Sequence, residues 1–236
     1  MKKILGGLFG KKETVATAKG KIQRSPRVRI PGSEDVQFLS ATGKAYPIRN
    51  LSESGLALLS PGEHFPDEAS GEIQVGDLSV YVKLTTVRRN GDEVGLTIGD
   101  GAAGVRTLLR RAFSDEFHAL EMTEVDATRQ KPVDLGQPKW FYAPGNYELF
   151  FVEHEGKVIR FEIEWSGSVL AFDGTQLRFG IVDGDSRDSV SHARSSLVKW
   201  ESEVQPAQKR KALRLIENVS GLEGSVRKQL QELLKS

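Results

Sequence analysis

Short apolar runs separated by turn residues dominate the first half of the chain. In the clearest of them, residues 78–88, apolar and polar side chains alternate with the period of a half-buried strand. The Asn-Gly pair at positions 90 and 91 follows and predicts a tight hairpin. Residues 102–113 then change to helical spacing. We therefore predict a small antiparallel barrel or sandwich over residues 21–115, closed by a helix.

A second β pattern begins after a weakly periodic, proline-bearing stretch, residues 116–138, which we interpret as a linker. Residues 139–185 contain apolar runs separated by glycine-containing turns, and they predict a second small antiparallel β domain of four strands. From residue 186 to residue 236 the apolar period becomes three to four, which predicts a helical region. The whole pattern is that of a mainly β protein with C-terminal helices.

Apolar residues in the C-terminal region also follow the spacing of a heptad seam. The first such group is Val190, Ala193, Leu197, Trp200 and Val204. Two further apolar helical faces follow Pro206. From this spacing we predict a homo-oligomer formed through residues 188–235.

Composition excludes several classes of function. The chain has 236 residues, a formal net charge of +1 and no cysteine, so disulfides, thiolate zinc sites and cysteine nucleophiles are ruled out. The near-neutral charge gives no reason to expect a nucleic-acid partner. The apolar stretch at the N-terminus is interrupted by glycines and falls far short of the roughly 20 residues that a spanning helix needs. We interpret residues 1–20 as a flexible leader and expect a cytoplasmic protein without a transmembrane segment.

Enzymatic signals are weak. The histidines are scattered without paired spacing, at positions His64, His118, His154 and His192. Glu162 and Glu164 share one face of a predicted strand, which we interpret as a solvated face rather than a catalytic carboxylate pair. Gly99–Gly104 leads into a helix but lacks the Lys-Ser/Thr of a phosphate-binding P-loop. We expect no enzyme, no metal site and no cofactor.

Two stretches carry candidate binding chemistry. The first is the turn Asn50–Gly55, where Asn and Ser side chains can cap backbone amides and Gly tolerates a positive φ before a buried apolar run. Such a turn can hold a small polar or anionic ligand. By itself it is more typical of an ordinary hairpin turn.

The second stretch places three arginines, Arg24, Arg27 and Arg29, before the first strand. Guanidinium groups donate planar, bidentate hydrogen bonds to phosphate or to the O6/N7 edge of guanine. Strand alternation puts Arg27 and Arg29 on one side, with Val28 opposite. By itself the segment is more typical of a solvated basic stretch at the start of a domain.

Together, these stretches and the strands and helix that follow resemble the PilZ domain over roughly residues 20–115. That family carries Arg-x-x-x-Arg before its first strand and (Asp/Asn)-x-Ser-x-x-Gly at a turn of its barrel. Asn50, Ser52 and Gly55 match the second element in full. In the first element, Arg27 matches the second arginine, Gln23 stands at the first position and Arg24 lies one step inside.

The resemblance implies a six-stranded antiparallel β-barrel that binds the bacterial second messenger cyclic di-GMP. It implies that Arg24 and Arg27 contact phosphate and guanine edges, with Arg29 as a further candidate. Asn50 and Ser52 would hydrogen-bond the ligand, and Gly55 would allow close approach of the backbone. On this interpretation the protein is a cytoplasmic signalling adaptor that relays the ligand state to a protein partner. The alternative is a degenerate module that binds no nucleotide and contacts partners through its C-terminal helices.

Overall fold

The computed structural model describes residues 25–31, 35–126, 136–182 and 198–235. The predicted leader, residues 1–20, therefore lies outside the described residues. The first half of the chain forms strands followed by two helices. These are β1 (Val28–Arg29), β2 (Val36–Ser40), β3 (Ala45–Ser52), β4 (Gly55–Leu59), β5 (Glu68–Val75), β6 (Leu78–Asn90), β7 (Glu93–Ile98), α1 (Ala102–Ala112) and α2 (Ser114–Glu121).

Six antiparallel strands close into a barrel in the order β3-β2-β5-β6-β7-β4, with β4 pairing back onto β3. The short strand β1 adds to the outside edge of β3. This arrangement confirms the predicted six-stranded barrel. It also puts β1 against the strand that carries the start of the Asn50–Gly55 turn, which is the placement that matters for the site.

Local sequence explains most of the barrel. In β6 the side chains of Val82 and Leu84 point into the core while those of Tyr81, Lys83 and Thr85 are exposed, as the alternation predicts. The β6–β7 hairpin turns at Gly91, whose φ is 57°. Helix α1 begins after Gly101, where φ is 100° and a Cβ would lie in contact with the carbonyl oxygen of Tyr81.

Helix α1 closes the barrel as predicted. Its apolar stripe, Val105, Leu108 and Leu109, is buried in the same core as the barrel strands. Helix α2 follows after Phe113 and belongs to both halves of the molecule. Phe117 and Leu120 pack against the barrel core. Ala119 and Met122, at the C-terminal end of the helix, are buried in the core of the second half.

The second half is a seven-stranded antiparallel sheet with two helices, in the order β14-β13-β12-β11-β10-β9-β8. Four predicted strands are present, and the prediction missed the strands at the two edges and β9. The elements are β8 (Thr123–Glu124), β9 (Gln137–Ala143), β10 (Tyr147–His154), β11 (Lys157–Trp165), β12 (Ser168–Phe172), β13 (Leu177–Val182), β14 (Val198–Trp200), α3 (Pro206–Asn218) and α4 (Gly224–Lys235).

Two predicted boundaries are wrong. The linker predicted over residues 116–138 contains most of α2, the strand β8 and the start of β9. The helical region predicted from residue 186 contains β14, in which Trp200 is an extended residue at the edge of the sheet. A heptad seam cannot pass through an extended strand, because its spacing requires a continuous helix. Val190, Ala193 and Leu197 lie outside the described residues.

The apolar faces of α3 and α4 pack against the chain's own second sheet. Among their buried residues are Ala212, Leu215, Ile216, Val226 and Leu230. Self-association through residues 188–235 stays a prediction, but the apolar residues of α3 and α4 that suggested it are occupied within the chain. No helix in the described ranges is long and apolar enough to cross a membrane.

Candidate functional site

The arginine segment and the Asn50–Gly55 turn meet in the fold. Strand β1 pairs antiparallel with β3, so that Arg29 lies opposite Asn50 and Val28 lies opposite Leu51. Val28 is fully buried, while the Arg27 and Arg29 side chains are exposed, as the predicted alternation requires. Two segments more than 20 residues apart along the chain therefore form one surface. Arg24, the remaining candidate arginine, lies outside the described residues.

Gly55 lies where strand β7 and the Arg27 side chain come close to the backbone of β4. A Cβ on Gly55 would lie 2.6 Å from the carbonyl oxygen of Leu96 and 3.6 Å from Nη2 of Arg27. The glycine is the first residue of β4, and its φ is not positive. The neighbouring strand β7 is therefore what requires a glycine here, rather than a left-handed turn. The same lack of a side chain leaves room for the Arg27 guanidinium beside it.

The two polar side chains of the turn differ in their environment. The hydroxyl of Ser52 is buried and donates to the carbonyl oxygen of Gly55 at 2.9 Å, across the tight Glu53–Ser54 turn. In contrast, Oδ1 of Asn50 is buried and accepts no hydrogen bond from any of the described residues. An unsatisfied buried acceptor is unfavourable by about 1–3 kcal/mol. Asn50 thus has hydrogen-bonding capacity that the barrel itself leaves unused.

Strand β1 is also held from the other side, by Asn218 at the C-terminal end of α3. The Arg29 amide donates to Oδ1 of Asn218 at 2.8 Å, and Nδ2 of Asn218 donates to the Arg29 carbonyl oxygen at 2.9 Å. The Arg29 guanidinium lies 3.8 Å from Glu217. One amide side chain therefore satisfies both backbone groups of Arg29 and connects β1 directly to the C-terminal helices.

A groove of about 210 Å³ adjoins the turn. It lies between the start of the arginine segment, the β3–β4 turn and helices α1 and α2. Its lining residues are Pro26, Glu53, Arg106, Leu109, Arg110 and Phe117. Arg106 donates through Nε to Glu53 at 3.0 Å, and Arg110 is exposed.

Sequence reasoning missed Asn218 and the two arginines of α1. Arg106 and Arg110 are four residues apart in a segment predicted to be helical, so the sequence alone could have placed them on the same face of the helix. What the sequence does not show is that this face borders the Asn50–Gly55 turn. Asn218 gave no signal, because its partner lies 189 residues earlier in the chain.

Of the residues considered for catalysis, His192 lies outside the described residues. Within the described ranges, no group of three or more His, Asp and Glu side chains could hold a metal ion. The ring of His118 stacks on Tyr147, with centroids 4.2 Å apart. Glu164 is only 4% exposed, so the interpretation of Glu162 and Glu164 as a solvated strand face is wrong at that position.

Comparison with known proteins adds little to this geometry. No known protein family matches the chain, and no curated protein matches it. A crystal structure of an uncharacterized protein from Legionella is similar to part of it, with a TM-score of 0.32 and 16% sequence identity. The similar region covers 36% of this chain and 90% of that chain.

Proposed function

We propose that the protein binds cyclic di-GMP on the surface formed by β1 and the β3–β4 hairpin. The observation that carries this proposal is the pairing of β1 with β3, which brings Arg29 opposite Asn50. It unites the two sequence elements whose combination resembles the PilZ domain. Arg27, beside Gly55, lies on the same surface, and Arg24 is expected to contribute from the preceding residues.

The chemistry of this surface suits an anionic dinucleotide. Exposed guanidinium groups of Arg27 and Arg29 can donate to phosphate oxygens or to the O6/N7 edge of guanine. Asn50 has an acceptor oxygen that no described residue satisfies. Ser52 contributes mainly by holding the hairpin, because its hydroxyl already donates to Gly55. Arg27 and Asn50 are therefore the residues on which recognition would depend most.

The signal would pass through β1 to the C-terminal helices. Asn218 connects the backbone of Arg29 to α3, so a ligand that draws Arg27 and Arg29 toward itself acts on this contact. Such a ligand shifts the protein between two arrangements only as far as it binds one of them better. We propose that the protein is a bacterial cytoplasmic adaptor in which this shift is relayed to a protein partner.

A second candidate function has its own support. Ser52 and Gly55 both have structural roles within the hairpin, and Asn218 fixes the backbone of Arg29 without any nucleotide. A module that kept these residues for folding alone would bind no nucleotide. It would act as an adaptor whose C-terminal helices contact a protein partner.

Isothermal titration calorimetry with cyclic di-GMP separates the two candidates. The proposal predicts saturable binding, and Arg27→Ala should weaken it by about tenfold to a hundredfold, as expected for one lost charge-assisted contact. Arg160→Ala, which removes an exposed arginine from the second sheet, is the matched control and should bind like the wild type. Absence of heat with the wild-type protein would favour the adaptor without nucleotide.

A further inference from the structure

The groove beside the Asn50–Gly55 turn contains hydrogen-bond donors on Arg106 and Arg110 and an acceptor on Glu53, none of which belongs to the proposed binding surface. The groove adjoins both parts of that surface, strand β1 and the β3–β4 hairpin. The β1–β3 register pairs Val28 with Leu51, and continuing it by two residues brings Pro26 opposite Glu53, the two residues that line one wall of the groove. The opposite wall is helix α1. A ligand held at Arg27 would therefore extend naturally into this groove.

The groove walls combine apolar surface with polar groups of both kinds. Pro26 and Phe117 provide apolar area against which a flat ring can pack, while Leu109 lies buried beneath the groove. Arg106 and Arg110 bring guanidinium donors, and Glu53 brings a carboxylate acceptor. Guanine is a flat ring with acceptors at O6 and N7 and an amino donor at N2. The O6/N7 edge thus complements the arginines, and the N2 amino group on another edge of the ring complements the glutamate.

The size of the groove limits what it can hold. Pockets that enclose an entire drug-sized ligand measure about 300–1,000 Å³. The groove measures about 210 Å³ and is therefore suited to one base rather than to a complete dinucleotide. Its neighbours Arg27 and Asn50 lie outside the groove, on the surface proposed for the rest of the ligand. On this division, one base would lie in the groove beside Arg110 and Glu53, and the rest of the ligand would lie on the surface that carries Arg27 and Asn50.

Two of the polar groups can be released for a ligand with little rearrangement. Glu53 and Arg106 form an ion pair at 3.0 Å, and their side chains are 37% and 54% exposed. Ion pairs that are this accessible to water contribute little to stability, so a ligand can replace them. Arg110 forms no ion pair with any of the residues that the structure describes. Its guanidinium is available without the loss of an existing contact.

We infer that the groove is a guanine subsite, in which Arg110 and Glu53 make the protein select guanine over adenine. This inference rests on the proposed binding of cyclic di-GMP and assigns one base of that ligand to the groove. Arg110 donates to the O6/N7 edge, Glu53 accepts from the N2 amino group, and Pro26 and Phe117 flank the ring. Adenine lacks the N2 amino group and carries a donor in place of O6, so it fits these partners poorly.

Titrations of the full-length protein with cyclic di-GMP and with cyclic di-AMP test the inference. The wild type should prefer cyclic di-GMP. Arg110→Ala and Glu53→Ala should each lower the affinity for cyclic di-GMP by about tenfold or more while leaving the affinity for cyclic di-AMP nearly unchanged. Arg111→Ala is the matched control, because Arg111 is the adjacent exposed residue of α1 but does not line the groove.

The outcomes distinguish this inference from the proposed function. If the wild type binds cyclic di-GMP and both variants bind it equally well, the guanine subsite is wrong and the proposed function stands. An equal loss of affinity for both dinucleotides would also overturn it, because a general distortion of the surface does not alter selectivity. If the wild type binds neither dinucleotide, both the subsite and the proposed function are wrong. Thermal melting of each variant checks that the barrel remains folded.

Discussion

Gly55 and Ser52 show how single residues of a candidate binding motif can serve the fold. Gly55 stands where a side chain would meet the backbone of β7, and the Ser52 hydroxyl closes the hairpin from inside the protein. Arg27 and Asn50 differ from them, because one side chain is exposed and the other has an unused acceptor. A loss of ligand binding after substitution at Gly55 or Ser52 would therefore mix a folding effect with a binding effect.

We predict that Gly55→Ala destabilises the protein in the absence of any ligand. Its Cβ would lie 2.6 Å from the carbonyl oxygen of Leu96, and forcing strands apart in a packed region lowers the free energy of unfolding by about 1–3 kcal/mol. Urea denaturation measures the loss. Gly99→Ala is the control, because a Cβ there would meet only the Lys83 carbonyl oxygen, at an ordinary 3.6 Å. Equal stability of the two variants would contradict the prediction.

Strand β1 is an element of two residues that owes its place to its neighbours. It is too short to be stable alone, and it is held by pairing with β3 on one side and by Asn218 on the other. Val28 and Ile30 are buried at either side of Arg29 and fix the strand against the core. The segment that carries the candidate arginines is thus ordered by the C-terminal helix as well as by the barrel.

We predict that Asn218→Ala loosens β1 and lowers the stability of the protein. The substitution removes the hydrogen bonds to both backbone groups of Arg29, and leaving part-buried backbone groups unpaired lowers the free energy of unfolding by about 1–3 kcal/mol. Hydrogen exchange should show faster exchange of the Arg29 amide. Arg29→Ala is the control, since it removes the exposed side chain and leaves the backbone contacts in place. Similar amide protection in Asn218→Ala and the wild type would rule out this role.

The two halves of the molecule meet in a charged cluster around α2. The carboxylate of Glu116 is fully buried and accepts from Lys211 at 2.9 Å and from Arg214 at 3.0 Å. Its neighbour Asp115 accepts from the Tyr147 hydroxyl at 2.7 Å and also pairs with Lys211 at 2.8 Å. Helices α2 and α3 and the second sheet are therefore joined by paired charges as well as by apolar packing.

From this cluster we predict that the free energy of unfolding depends on pH in the acidic range. Burial acts to raise the pKa of Asp115, but hydrogen bonds from Lys211, Tyr147 and Ser166 outweigh it, so its pKa lies below the ordinary 3.8. Because the pKa is lower in the folded state, the stabilisation is complete above the ordinary value and is lost as the pH falls through the folded-state value. We expect the free energy of unfolding to decrease as the pH falls below about 4.

Asp115→Asn isolates this contribution. The amide keeps the size of the side chain but carries no charge for Lys211, so the variant should be less stable than the wild type at neutral pH. Its stability should fall less in acid, and the two curves of unfolding free energy against pH should converge below about pH 4. Parallel curves across that range would show that Asp115 does not account for the acid dependence.

Local features of the sequence determined most of the barrel and part of the site. The alternation in β6, the turn at Gly91 and the helical spacing of α1 each predicted what the structure contains, because period and turn chemistry act over a few neighbouring residues. The exposure of Arg27 and Arg29 with Val28 buried followed from the same rule. The strands at the edges of the second sheet were missed because two or three residues are too few to establish a period.

Only the tertiary structure decided which of these elements touch. The contact of Asn218 with Arg29 joins residues 189 positions apart, and no local pattern encodes it. The groove depends in the same way on where α1 and α2 pack relative to the β3–β4 turn. The apolar periods of α3 and α4 predicted helical faces, but a period does not identify its partner. The second sheet of the same chain covers these faces, whereas the spacing had suggested a second copy of the chain.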